Sequence, residues 1–322
     1  MNMHILGTGS ALPNTVLTND DLTKYMDTSD EWIRERTGIG ARHISTGETV
    51  ASLSGEACNK ALSDAGVSPE NVDIILLATC SPEVSIPCVA CQVQDIIGAV
   101  NATAMDLNAA CSGFLFALNT AYAYMAAGIY RNALVVGAEV LSKIVDWEDR
   151  GTCILFGDGA GAVYVEADRS GEDNYCFVSH ATGSKGSVLT CGTRDIVNPL
   201  VNIKSTAPYV AMDGREIFAF ATRQIPACIG EVLDKLSMSA EDVDLYLLHQ
   251  ANIRIINMIA KRMGLSMDKF PTNAERVGNM SSASIPVLLD ECNRNGMLKR
   301  GMKIVMSGFG AGLTYGASCI TW

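Results

Sequence analysis

The chain is short of charge. Charged residues fill 18% of its 322 positions and apolar residues 48%, and the charges sum to −11. Such a composition excludes extended charge-rich disorder and supplies enough apolar side chain for a large core. The acidic balance also excludes nucleic acid as a general partner, because phosphate binding needs a basic face. No apolar run reaches the length of about 18 residues that a membrane span needs, so no membrane partner is expected. The segment Met1–Gly7 lacks a basic region followed by an apolar stretch. It therefore reads without a signal peptide, and a cytoplasmic location is expected.

Histidine is scarce as well, with four in the chain. Cys88 and Cys91 form a lone Cys-x-x-Cys with no second pair to complete a four-ligand zinc site, so both read as packing and no metal is expected. Eleven cysteines in such a chain are expected to be reduced thiols, most of them small buried apolar residues. Glycine motifs for nucleotides are incomplete. Gly7-Thr8-Gly9 leads to Leu12 where a dinucleotide fingerprint needs its third glycine, and Gly183-Ser184-Lys185-Gly186 lacks the P-loop order.

What the chain does have is an internal echo. Asp64–Leu77 reads as the end of a helix, a turn through Val72-Asp73 and a short apolar strand, and Lys235–Leu248 reads the same way 171 residues later. Gly128-Ile129-Tyr130-Arg131 and Gly296-Met297-Leu298-Lys299 each lead into a further strand at an offset near 168. Phe156–Ala162 and Gly308–Leu313 are glycine-rich and each precede a closing strand. Three echoes in one order indicate a duplicated α/β unit, with halves at 1–172 and 173–322 and a polar junction at 167–174. The stretch from Thr182 to Arg215, rich in Gly, Ser, Thr and Asn, interrupts the echo; a binding wall and a solvated loop are both open readings.

One cysteine stands apart. Thr103–Leu107 is strand-like, Asn108-Ala109-Ala110 leads to Cys111-Ser112-Gly113, and Phe114–Tyr122 reads as a buried helix. A thiol where a strand turns into a helix faces unpaired N–H groups and the positive end of the helix dipole, which favour a thiolate. At an offset of 168 its counterpart is Asn279, in a second small-residue turn entering an apolar helix. His249 ends the repeated strand of the second half, where the first half has Ala78. A Cys, a His and an Asn at strand ends suit acyl transfer: a nucleophile, and N–H donors for an oxygen that gains charge. Papain-like hydrolases use the same three types in the same order, but their local cysteine signature is absent and the duplication has no place there.

These motifs carry a resemblance. Gly7-Thr8-Gly9-Ser10, Thr28–Ile33, Arg36–Ile39, Asp106–Phe114, Phe156–Ala162, His249-Gln250-Ala251-Asn252, Gly278-Asn279 and Gly308–Gly312 together resemble the β-ketoacyl-acyl-carrier-protein synthase III family, of the thiolase-fold superfamily. The resemblance implies a five-layered αβαβα fold of two similar halves with mixed, mostly parallel sheets, in a homodimer. It implies an acyltransferase that loads an acyl-CoA primer onto Cys111 and condenses it with malonyl-acyl-carrier protein, with loss of CO2, at the start of fatty-acid synthesis. By the same resemblance His249 and Asn279 hold the malonyl thioester carbonyl, and N–H groups of Cys111 and Ala311 form the oxyanion hole. Thr28, Trp32, Arg36, Arg150, Gly151 and Asn252 match the CoA entrance. Ile86 and Phe156 match the acyl pocket, Ile86 in a position that reaches into the partner's pocket. Arg254, Lys261 and Arg262 match a patch for acyl carrier protein. No cofactor is implied. Two departures stand out: Ala219 replaces a basic patch residue, with Arg223 nearby, and Ile86 replaces a Phe, which suggests primers longer or more branched than acetyl. A related enzyme of a polyketide or quinolone route is the alternative pathway.

Overall fold

The structure, a computed structural model, describes residues 1–169, 174–192, 195–205 and 207–322. Five strands of the first half form one sheet: β1 (Asn2–Ala11), β2 (Ile74–Ala78), β3 (Thr103–Leu107), β4 (Asn132–Glu139) and β5 (Gly159–Asp168). Their spatial order is β1-β5-β4-β2-β3. The central strand β2 pairs in parallel with β3 and β4, while β5 runs antiparallel to β4 and β1. The second half repeats four of them as β6 (Tyr175–Ala181), β7 (Leu245–Leu248), β8 (Lys303–Gly310) and β9 (Thr314–Thr321), in the order β7-β8-β9-β6. Only β7 and β8 are parallel there. The two sheets are thus mixed, but parallel pairs are the minority, because each half closes with an antiparallel return strand. The junction between 172 and 173 lies outside the described residues.

Helices complete five layers. α1 (Asp30–Thr37) belongs to an entrance loop, and α2 (Val50–Ala65) and α3 (Val89–Ile97) cover the outer face of the first sheet. α4 (Gly113–Ala126) and α7 (Ser284–Arg294) lie between the sheets, and α5 (Gly214–Leu236) and α6 (Ile253–Met263) cover the second. The sequence of each helix matches its layer. α4 buries Phe114, Leu115, Leu118, Ala121 and Met125 because both its sides face a sheet, whereas α6 buries Ile255, Ile256 and Ile259 on one face. Gly7 and Gly9 serve this packing rather than a nucleotide: a Cβ on either would fall about 2.1–2.2 Å from the carbonyls of Ala61 and Ala57 in α2.

The duplication is real in the backbone, but its register differs from one expectation. A turn at Ala110–Ser112 leads into α4, and a turn at Ser281–Ala283 leads into α7. Ala110 and Ser281 share the same left-handed φ of 46°. The offset is 171, as it is for β2 and β7, so Cys111 corresponds to Ser282 and Asn279 to Asn108. The pairing of Cys111 with Asn279 is therefore corrected. The error came from the Gly128/Gly296 echo, which follows helices of 14 and 11 residues, three apart in length. The glycine-rich echo is corrected too, since Gly159–Ala162 opens β5 whereas Gly308–Gly310 ends β8.

Candidate active site

The turn that carries Cys111 is pinned from both halves. Ser112 Oγ lies 2.8 Å from Thr314 Oγ1, and that hydroxyl donates to Ala109 O (3.0 Å). Gly310 presses on the same turn: a Cβ there would sit 2.5 Å from Cys111 N, so only glycine lets Ala311 follow directly beside the thiol. Below the turn, the fully buried Glu139 accepts from Thr79 Oγ1 (3.1 Å), Cys80 N (3.1 Å) and Ser81 Oγ (2.5 Å) in the first half. It also accepts from Ser281 Oγ (3.1 Å) and Ser282 Oγ (2.9 Å) in the second. These hydrogen bonds, drawn from both halves, fasten the two turns together. Nothing local marks Glu139 in the sequence, because its partners come from loops up to 143 residues away.

Cys111, His249 and Asn279 line one small cavity of about 110 Å³ with Leu155, Phe156 and Phe309. His249 is 3% exposed and uses Nδ1 toward Ser284 Oγ, 2.6 Å away. Burial pushes its pKa down to about 3, so the imidazole is neutral. Asn279 Oδ1 accepts from Ser281 N (2.8 Å), which fixes the amide and leaves its NH2 as the donor end. The Cys111 thiol departs from expectation. Burial pushes it up to about 12, a hydrogen bond with Ser281 works against that rise, and the Glu139 charge adds to it. A helix terminus contributes only about 1 kcal/mol, and desolvation outweighs it.

The small cavity joins two larger spaces. Through Met212, Gly214, Phe218 and Asn252 it meets a cleft of about 1300 Å³ lined by Trp32, Arg36, Gly151, Arg215 and Arg254. Through Cys111, Phe156 and Leu189 it meets a pocket of about 550 Å³ walled by Leu141, Ile144, Val210, Cys80 and Cys191, with Ala311 at its edge. The stretch from Thr182 to Arg215 therefore acts as a wall on both sides, through Leu189, Cys191, Val210, Met212 and Arg215, although its hairpin Ile196–Ile203 is exposed.

The expected entrance residues gather around Trp32. The guanidinium groups of Arg36 and Arg150 each lie 4.3 Å from its ring centroid, so a purine stacking there takes the place of one of them. Arg150 also donates to Asp27 O (2.6 Å), and Asn252 caps α6 while donating to Arg36 O (3.0 Å). Thr28 Oγ1 is buried with no hydrogen-bond partner among the described residues. Arg254 and Lys261 are exposed on α6, and Arg262 donates to Thr222 O of α5 (2.6 Å), bringing it beside the exposed Arg223. Arg215, which the sequence reading missed, lines the cleft beside Arg254.

Phe156 lines the chain's own pocket, whereas Ile86 is 87% exposed and lies outside it. Cys88 and Cys91 have sulfurs 3.3 Å apart, and Cys91 is exposed, so packing does not account for both.

The chain is similar to known proteins over its whole length. Residues 105–186 match the family model described as 3-oxoacyl-[acyl-carrier-protein] synthase III, and residues 233–322 match the model of its C-terminal part. The chain is 49% identical to the β-ketoacyl-[acyl-carrier-protein] synthase III of Clostridium acetobutylicum, over 100% of this chain and 99% of the relative. It is 47% identical to that of Lactococcus lactis, over 96% of each. The crystal structure of the Aquifex aeolicus 3-oxoacyl-[acyl-carrier-protein] synthase III superposes with a TM-score of 0.94 at 43% identity, over 100% of both chains.

Proposed function

Because this chain belongs to the β-ketoacyl-acyl-carrier-protein synthase III family, acyl-transferring condensing enzymes that initiate fatty-acid synthesis, we propose that its chemistry runs on Cys111 with His249 and Asn279. The observation that carries this reading is the single cavity lined by all three, which shares walls with an arginine-lined cleft and with a largely apolar pocket. An acyl-CoA enters the 1300 Å³ cleft past Trp32, with Arg36 and Arg150 for its phosphates. The Cys111 sulfur attacks the thioester carbonyl, N–H groups of Cys111 and Ala311 hold the oxyanion, and the acyl chain takes the 550 Å³ pocket. The proton lost by Cys111 leaves on the CoA thiol.

Malonyl-acyl-carrier protein then uses the same cleft. Its thioester oxygen meets the N–H groups of His249 and Asn279, which stabilise the enolate formed as CO2 departs. The enolate carbon attacks the acyl-Cys111 carbonyl, the C–S bond breaks to release a 3-ketoacyl-carrier protein, and the Cys111 thiolate takes up a proton from water. Every step is carbonyl chemistry, so no redox group or metal is called on. An acidic carrier is served by the basic residues of α6 and α5, Arg254, Lys261, Arg262 and Arg223, beside the cleft mouth that Arg254 lines.

A homodimer completes this reading. Strand β3 is an edge of the first sheet, and the segments that lead into it expose apolar residues: Val84, Ile86 and Ile96 at 46%, 87% and 50%, and Val100 at 72%. Pairing β3 with its copy would carry Ile86 toward the partner's pocket.

The test is incubation with acyl-CoAs of two to eight carbons, followed by intact-protein mass measurement. The wild type is expected to gain one acyl mass and the Cys111→Ala variant none. An adduct that persists in Cys111→Ala would reject the nucleophile. A preference for acetyl over every longer chain would reject the larger-primer reading of Ile86.

A further inference from the structure

His249 and Ser284 form a unit that the other half of the molecule lacks. At the offset of 171 their counterparts are Ala78 and Gly113, which also touch: a Cβ on Gly113 would lie 2.9 Å from Ala78 Cβ. One half keeps this contact as bare packing. The other places an imidazole on one side of it and a hydroxyl on the other.

Ser284 opens α7 and is fully buried. Its Oγ lies 2.6 Å from His249 Nδ1 and 2.9 Å from Ser281 O. A hydroxyl has one hydrogen to give, and a neutral imidazole carries one. If the hydroxyl donates to Ser281 O, Nδ1–H donates to Oγ and Nε2 is left as an acceptor. If the hydroxyl donates to Nδ1, Nε2 carries the hydrogen and is a donor. Enolate formation needs the second state, because an acceptor nitrogen would turn a lone pair toward the oxygen that gains negative charge.

Resting on the reading of His249 as a donor to the malonyl thioester oxygen, we propose that Ser284 is a positioning residue that holds His249 as the Nε2–H tautomer by donating to Nδ1. Phe309 packs edge-on against the His249 ring, with centroids 5.4 Å apart at 73°, and the ring is closed off from solvent. Asn279 follows the same design, with Oδ1 tied to Ser281 N and its NH2 left to work. Acylation of Cys111 asks nothing of the tautomer, so Ser284 belongs to the decarboxylating half of the cycle alone.

The experiment uses the full-length protein and its Ser284→Ala variant. Two half-reactions are measured separately: CoA release on mixing with acyl-CoA alone, and 3-ketoacyl product with malonyl-acyl-carrier protein. The variant is expected to release CoA within about twofold of wild type while condensation falls roughly 10–100-fold, the usual cost of losing a partner that orients a histidine. Long-range ¹⁵N–¹H correlation of histidine-labelled wild type, with only four histidines to assign, is expected to show the proton on Nε2 of His249. A proton on Nδ1 in the wild type would overturn the proposal. So would equal loss of both half-reactions, or unchanged condensation. A wild type that never loads Cys111 would count against the proposed function instead, and the tautomer would still be read directly.

Discussion

At Cys111 the surroundings oppose early ionisation. Burial holds the thiol near 12, so at neutral pH it rests as S–H inside an apolar-walled site and becomes a nucleophile only as the substrate arrives. The alkylation rate by iodoacetamide should therefore climb roughly tenfold per pH step from 7 to 9, with no plateau. A plateau below pH 8 would show an activated thiolate and contradict the burial argument. His249 gives a second pH signature, with the sign fixed by linkage. Its folded pKa of about 3 lies below the ordinary imidazole value of 6.5, so the unfolded chain binds the extra proton first. Stability should fall as pH drops from 6.5 toward 3, at up to about 1.4 kcal/mol per pH step from this residue. Denaturant melts of wild type and His249→Asn across that window should show the smaller slope in the variant.

Among the elements, the turns at Ala110 and Ser281 do most to assemble the site, and their supports are unequal in how they could be read. Cys111 was legible because a strand, small residues and an apolar helix follow one another locally. His249 was legible because it breaks an apolar strand that its repeat keeps apolar. The pocket walls Leu141, Ile144 and Val210 were not, since the first two come from one short turn and the third from a distant loop, with no shared period. Nor was Ser284, whose role exists only once α7 meets the end of β7. Gly310 is the sharpest case: in the sequence it is one glycine of a rich run, yet a side chain there would run into Cys111 N. Gly310→Ala should cost about 1–3 kcal/mol in stability through overpacking and lower the acylation rate by displacing the turn. Thermal melts and CoA-release bursts would check both, and an unchanged burst would show that the turn tolerates the displacement.

For the whole molecule, the duplicated plan was legible from repeated strand and helix patterns, and the layer order follows from which helices are apolar all round. The exact register was not, because a three-residue difference in helix length shifts every later echo. The proposed dimer is assigned to the β3 edge. Thr103 N donates inward to Asp73 O, so by strand alternation the N–H of Ala104 points outward. Ala104→Pro should remove an outward donor without breaking the inner ladder. Sedimentation is expected to give a dimer for wild type and a 34.3 kDa monomer for the variant. A variant that stays dimeric would place the contact elsewhere.

The matched φ of 46° at Ala110 and Ser281 bears on how such a site arises. A strained turn is hard to invent and easy to copy. Once a gene segment encoding it is doubled, both copies inherit the backbone, and each is free to change its side chains alone. Here one copy carries Cys111 on that backbone and the other carries Ser282, with His249 and Ser284 on neighbouring elements where the first copy has Ala78 and Gly113. Under the proposed function, the two copies of one turn divide the work of a two-step reaction between them.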